Sequence, residues 1–232
     1  MTSVDAGRPR SGERIDPPSL VALAAESIRK MILSGAYAPG ERLIEERLTE
    51  QLGISRPPLR EALRLLQNDG LIVTRPRYGS TVATLTDQDV FEILTLRTGL
   101  ERMAVELGVP VQDRSRLTPC HAALERMERN ARDSDRGSLV ENAYAFHASI
   151  VALAGHRRLS EMYRSVQQQM LLCMSRNLGA RERHYENLVE HVGRHRYLLD
   201  LIEAGDPQAV LAELAVHGER SFAERRDPET GR

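Results

Sequence analysis

Apolar residues recur at helical spacing from Ser19 onward: Leu20, Leu23, Ala24, Ile28, Met31 and Ile32 share one face of a helix that Gly35 stops. Tyr37-Ala38-Pro39-Gly40 reads as a turn, Glu45 to Leu52 as a short second helix ended by Gly53, and Ser55 as the N-cap of a third. Pro57 and Pro58 fall in the first turn of that helix, where amide hydrogens have no intrahelical partner, and Leu59, Leu63 and Leu66 give it a buried face. After Asn68-Asp69-Gly70 the period changes. Leu71 to Thr74 and Ser80 to Ala83 are β-prone runs on either side of Arg75-Pro76-Arg77-Tyr78-Gly79. Three short helices and a hairpin, with only Gly53-Ile54-Ser55 between helices two and three, predict a winged helix-turn-helix over residues 19–85.

From Thr86 to Arg226 the pattern is helical, with breaks expected near Val109-Pro110, Ser134 to Gly137, Gly155, Gly179 and Gly205-Asp206. Six helices of about 18 to 24 residues would make this second region an all-α bundle, so the chain is mainly α. Residues 1–18 are rich in Pro, Gly, Ser and charge and predict a disordered tail, with a second short tail at 227–232. No apolar run approaches the length needed to cross a bilayer of about 30 Å, and the start has no apolar core of a secretory signal, which together predict a cytoplasmic protein without membrane contact. Cys120 and Cys173 lie 53 positions apart with no C-x-x-C pair, which suits buried thiols rather than a disulfide or thiolate metal site.

Charge changes the picture only when read locally. The formal net charge of -1 does not announce a nucleic-acid binder. Residues 1–85, however, hold 12 basic and 10 acidic groups, while 86–232 hold 20 and 23. Between Ser55 and Arg77 five arginines face only Glu61 and Asp69. Arg56 and Arg60 stand four apart at the start of the third helix, and Arg64 continues their face. An arginine there can bond guanine O6 and N7 with two parallel hydrogen bonds. Ser55 and the helix N-terminal amides suit a phosphate, and Arg75 and Arg77 on the hairpin suit the backbone or an adjacent minor groove.

The stretch from Ser19 to Val82 resembles the DNA-binding domain of GntR-type bacterial regulators, above all in the G-x-S-R-x-P-L-R-E-A-L core from Gly53 to Leu63, Pro39-Gly40 before it, and Gly70 and Gly79 around the wing. The resemblance implies recognition arginines at Arg56 and Arg60, a wing-tip glycine at Gly79 and double-stranded DNA as partner. Relatives often carry a hydroxyl after the first arginine. Here that position is Pro57, so the operator cannot be copied from them.

In the helical half, His147 lies in the stripe Val140, Tyr144, His147, Val151; His195 lies with Leu188, Leu199 and Ile202; His217 follows Val210 and Leu214. Three inward imidazoles on separate helices suit a divalent transition metal such as Zn²⁺, whereas any one of them alone reads as a satisfied core or pocket histidine. This region resembles the FCD type of effector domain, through Phe146-His147, the H-x-x-L-L-x-L-I-x-x-G-D stretch from His195 to Asp206, His217, and the opening R-x-x-x-E at Arg97 and Glu101. The resemblance implies a small organic-acid effector near Arg97, His147, His195 and His217, metal at the three histidines, and a homodimer on a pseudo-palindromic operator. Relatives with a metal usually place Asp four residues before the Phe-His histidine; here it is Ala143.

Arg97 is open to two readings, effector clamp or i,i+4 salt bridge with Glu101. Met162, Met170, Cys173 and Met174 read as core. His191-Val192-Gly193-Arg194-His195 has the spacing of a zinc-peptidase helix but Val192 where the base Glu must stand, and no G-x-S-x-G, P-loop or G-x-G-x-x-G occurs. The leading expectation is a non-enzymatic repressor whose operator affinity responds to the effector. Two alternatives stay open: a three-histidine metalloenzyme, and a DNA-binding protein whose bundle only dimerises.

Overall fold

The computed structural model describes residues 19–184 and 187–219; both expected tails, and the end of the expected bundle at 220–226, lie outside these residues. The reader comprises α1 (Leu20–Leu33), β1 (Arg42–Leu43), α2 (Glu45–Leu52), α3 (Arg56–Asn68), β2 (Ile72–Arg75) and β3 (Gly79–Val82). Ile28, Leu48, Leu59, Leu66 and Leu71 are fully buried at its centre. The hairpin is in place with Ile72 opposite Val82 and Arg75 opposite Gly79. It is not alone, however: Arg42 and Leu43 pair with Thr81 and Ser80, giving a three-stranded antiparallel sheet in the order β1-β3-β2. Two residues show too little alternation to be read as a strand.

A capping box at Thr86 and Asp89 starts α4 (Asp87–Gly108). A short 3-10 turn at Arg114–Leu117 follows, then α5 (Thr118–Arg132), α6 (Arg136–Leu153), α7 (Arg157–Ser165), α8 (Gln167–His184), α9 (Leu188–Ala204) and α10 (Pro207–Glu219). The described bundle therefore has seven α-helices rather than six, and most are shorter than expected. The break expected at Gly179 is absent, because Gly179 lies inside α8. A glycine there costs only about 1 kcal/mol against alanine, and burial of Met170, Leu171, Met174 and Leu178 outweighs it. The break falls instead at Val166, which carries no local stop signal.

Helix α6 is the axle of the bundle, with Leu139, Phe146, Ile150 and Val151 essentially inaccessible and α4, α5, α7 and α8 packed around it. Cys120, Cys173, Met170 and Met174 are buried as expected, but Met162 is exposed on the outer face of α7. None of the described helices is long and apolar enough to cross a membrane.

The reader and the bundle are closely joined. The Ser175 hydroxyl on α8 donates to the Leu33 carbonyl at 2.6 Å, and the Arg176 guanidinium donates to the Leu85 carbonyl at 3.5 Å. Leu33 of α1 belongs to the bundle's apolar core, while Leu172 of α8 packs against the reader's. At Gly137 any side chain would meet the Lys30 carbonyl at 2.8 Å, so the start of α6 can approach α1 only without a Cβ.

Candidate DNA interface and histidine site

The N-cap geometry of Ser55 and the two prolines after it start α3 where expected, although the Ser55 hydroxyl makes no capping bond and is exposed. Leu59, Ala62, Leu63 and Leu66 turn one face of α3 into the core, which leaves Arg56, Arg60 and Arg64 together on the open face. The Arg60 Nε donates to both carboxylate oxygens of Glu45 on α2, at 3.0 and 3.3 Å, and Arg64 pairs with Glu61 at 3.1 Å. Exposed pairs of this kind contribute about 0–1 kcal/mol, so a phosphate or a guanine edge can displace them.

Arg75, Arg77 and Gly79 stand exposed at the wing tip. The Tyr78 amide donates to the Arg75 carbonyl at 3.1 Å, closing a turn whose third residue, Arg77, has φ 65. Left-handed backbone favours glycine, the residue that adopts it two positions on at Gly79 (φ 81), so an arginine held there carries strain of about 1–2 kcal/mol. Arg77→Gly is therefore expected to leave stability unchanged or slightly raised, while the slope of log affinity for DNA against log salt falls by about one. Anisotropy titrations at several salt concentrations check it, and an unaltered slope would mean that Arg77 touches no phosphate. Sequence reading passed over Tyr78, exposed in the middle of this basic tip. An aromatic inside a run of arginines was the available signal.

The second site lies inside the bundle. His147 from α6, His195 from α9 and His217 from α10 place potential ligand atoms within 4.8 Å of one another, and all three are buried. Ring centroids are 4.6 Å apart for His195 and His217, and 5.2 and 5.3 Å separate His147 from His217 and from His195. The Nδ1 of His195 lies 2.9 Å from the His191 carbonyl, which can only accept, so that nitrogen carries the proton and Nε2 keeps a lone pair. This Nε2 faces the His217 Nε2 at 3.4 Å. On the outer side, His147 Nδ1 is 3.3 Å from Glu101 and His217 Nδ1 is 3.5 Å from Glu213. Both ring nitrogens of His147 and the Nδ1 of His217 are buried with no hydrogen-bond partner, so these two carboxylates stand close to the rings without bonding them. Three buried imidazoles that stay neutral and bring ring nitrogens within 4.8 Å of one another, several of those nitrogens without a hydrogen-bond partner, form the donor set that a borderline transition metal takes, so the residues fit a metal ion.

Electrostatics agree. Burial, together with His217, His191 and His147, holds the His195 imidazole well below its ordinary range; burial, His147 and Arg194 do the same for His217. Burial and Arg97 outweigh Glu101 at His147. Arg97 and Glu101 form a buried ion pair at 2.8 Å, and Tyr163 donates to the same Glu101 oxygen at 2.7 Å. Burial alone would raise the Glu101 carboxyl, yet Arg97 and His147 hold it far below the usual carboxylate range. Of the two readings open for Arg97, the salt bridge with Glu101 is formed, and the same side chain lines the histidine cavity. Ala143 lines that cavity one turn before His147, together with His191 and Arg194, which sequence reading did not assign to the site. Its free volume is about 20 Å³, room for an ion or one water. A larger cavity, about 680 Å³, lies where reader meets bundle, and Leu178 of α8 lines both.

Comparison with known proteins agrees with both halves. The family model of bacterial regulatory proteins of the gntR family matches residues 20–82, and that of the FCD domain matches residues 92–220. The HTH-type transcriptional regulator YdhC of Bacillus subtilis (strain 168) is 31% identical over 191 residues, 82% of this chain and 84% of that protein. The gluconate operon transcriptional repressor of the same organism is 24% identical over 192 residues, 82% and 78% of the two chains. A solved GntR regulator from Rhodococcus sp. RHA1 superposes with a TM-score of 0.67 at 25% identity, covering 88% of this chain and 95% of that one. With a helix-turn-helix that binds DNA and a helical partner domain in this order, the chain belongs to the GntR family of transcriptional regulators with an FCD C-terminal domain, and is not an enzyme.

Proposed function

We propose that the protein is a repressor that binds a pseudo-palindromic operator as a homodimer and releases it when a small organic acid reaches the histidine site. The observation that carries this reading is the convergence of His147, His195 and His217 from three helices into one buried donor set. A divalent metal such as Zn²⁺ held there supplies a fixed positive charge and open positions for a carboxylate. Arg97 adds a second cation on the cavity wall. Ala143 offers no carboxylate of its own, which leaves that side of the site to the effector. That a gluconate operon repressor is among the relatives supports both an organic acid and the sign of regulation.

On the reader, Arg56, Arg60 and Arg64 face the major groove, Ser55 and the α3 amides hold a phosphate, and Arg75, Arg77 and Gly79 bring the wing to the backbone. Leu96, Met103 and Leu107 form an exposed apolar flank of α4 beside the open Gly99, a face that suits a second copy. Two readers then meet half-sites about one helical turn apart.

The coupling runs through α8. A cavity of about 20 Å³ admits an organic acid only if a wall moves, and Met174 and Leu178 of α8 form one wall. The same helix is bonded to the reader through Ser175, on the Leu33 carbonyl, and Arg176, on the Leu85 carbonyl. Displacing it changes the spacing of the two recognition helices, and a bias of about 1–3 kcal/mol is enough for a 5–150-fold change in operator affinity.

The test combines metal analysis of the purified protein, its mass in solution, and operator binding with and without a panel of organic acids. One metal per chain, lost in His147→Ala, His195→Ala and His217→Ala, is expected, with a mass of twice 26.0 kDa and at least one acid that weakens operator binding. Substoichiometric metal indifferent to all three substitutions would remove the site. A monomeric mass would remove the dimer.

A further inference from the structure

We propose that Glu101 is the positioning residue of the histidine site: its carboxylate fixes the proton of His147 on Nδ1 and so presents Nε2 as a metal donor. The inference rests on the metal reading above but reads a property the metal-free protein already has. One Glu101 oxygen, Oε1, lies 2.8 Å from the Arg97 Nε, 2.7 Å from the Tyr163 hydroxyl and 3.3 Å from the His147 Nδ1. A carboxylate receiving a guanidinium N–H on a buried oxygen is ionised. A bare Nδ1 lone pair would then face an anion across 3.3 Å in a dry interior, where like poles repel strongly, whereas an Nδ1–H is attracted. Glu101 lies on α4, His147 on α6 and Tyr163 on α7, so three helices must pack correctly before the arrangement exists.

The other two histidines also have groups on their outer sides: the His191 carbonyl bonds the His195 Nδ1, and Glu213 stands 3.5 Å from the His217 Nδ1, as Glu101 stands 3.3 Å from the His147 Nδ1, close enough for charge attraction but outside hydrogen-bond geometry. These differ in kind. A carbonyl is neutral and Glu213 is partly open to solvent, whereas Glu101 is a fully formed anion sealed between α4, α6 and α7. Of the three histidines, His147 is therefore the one whose outward partner is a buried charge. Such an outer partner raises the basicity of the ligating nitrogen and is worth about 10–100-fold in metal affinity. Tyr163 keeps Glu101 from turning toward the metal, because its hydroxyl holds the same oxygen. Arg97 balances the charge, so the group can sit in the interior at all.

Long-range ¹H–¹⁵N NMR on histidine-labelled, metal-free protein reads the tautomer directly. The His147 ring is expected to carry its proton on Nδ1 in the wild type and to lose that preference in Glu101→Gln. Zn²⁺ affinity, measured by competition with a chromophoric chelator, is expected to fall about 10–100-fold in the same variant. If Glu101→Gln alone does not fold, the paired Arg97→Gln and Glu101→Gln variant removes both charges together and carries the measurement. A wild-type His147 protonated on Nε2, or a tautomer unchanged in the variant, overturns the proposal. A wild type with the expected tautomer but no Zn²⁺ binding upholds the positioning role and overturns the metal reading instead.

Discussion

Replacing Arg56 and Arg60 together by alanine is expected to lower operator affinity by at least about 100-fold while leaving the fold intact. Each arginine can make two parallel bonds to one guanine, about 1–3 kcal/mol of discrimination per pair, and the two occupy successive turns of one exposed face. Alanine is the better helix former, so α3 itself does not weaken. The released Glu45 stays at the surface, where an unpaired carboxylate costs little. The loss should be concentrated in the specific complex: affinity for random DNA, which depends on phosphate neutralisation, falls far less. Anisotropy titrations with a selected operator and with a scrambled duplex separate the two. Sequence-specific affinity that survives the double substitution would place the reading surface elsewhere than on α3.

Acidification of the metal-free protein is the second large effect. The folded state holds His147, His195 and His217 neutral below their ordinary range, so below about pH 6.5 the unfolded chain takes up protons that the folded one refuses. Stability is then fully present above that pH and lost as pH falls, at about 1.4 kcal/mol per proton and pH unit. Glu141 works the other way. Burial, with Glu26 nearby, pushes its carboxyl up to about 7, so it takes up a proton on folding in the same range and offsets one histidine. The three imidazoles outnumber this one carboxyl, so the net effect is a loss of stability as pH falls below about 6.5. Urea midpoints in the presence of a chelator check this, with the His195→Leu and His217→Leu double variant showing a flatter profile. A midpoint constant from pH 7 to 5 would mean that the imidazoles charge freely in the fold. Bound metal should shift the whole decline to lower pH, because it competes for the same nitrogens.

The reader was legible almost in full because its signals are local. A cap, two prolines and three leucines at helical spacing define α3, and Gly79 fits the hairpin turn. The features that escaped notice are those a local pattern cannot carry. Strand β1 is two residues long and exists only because β3 offers it an edge. Gly179 stays helical because α8 is packed on both sides, and Val166 ends a helix without any residue that says so. Met162 has the spacing of a core residue but falls on the short α7, whose inward face is filled by Leu159 and Tyr163. At the histidine site, the three rings could be paired with helices from periodicity alone, and the Arg97 to Glu101 spacing announced an ion pair. That Glu101 would reach a histidine 46 positions away, and a tyrosine 62 away, depends on how α4, α6 and α7 pack.

The exchange of one leucine each way across the junction bears on how such regulators can be recombined. With Leu33 seated among the bundle's side chains and Leu172 among the reader's, neither half ends where its chain segment ends. A chimera that grafts this reader onto a foreign bundle would leave a leucine stranded in water on one side and a hole on the other. Positions 33 and 172 must therefore travel as a pair in any such swap, and the natural seam for cutting is a surface that crosses the sequence twice.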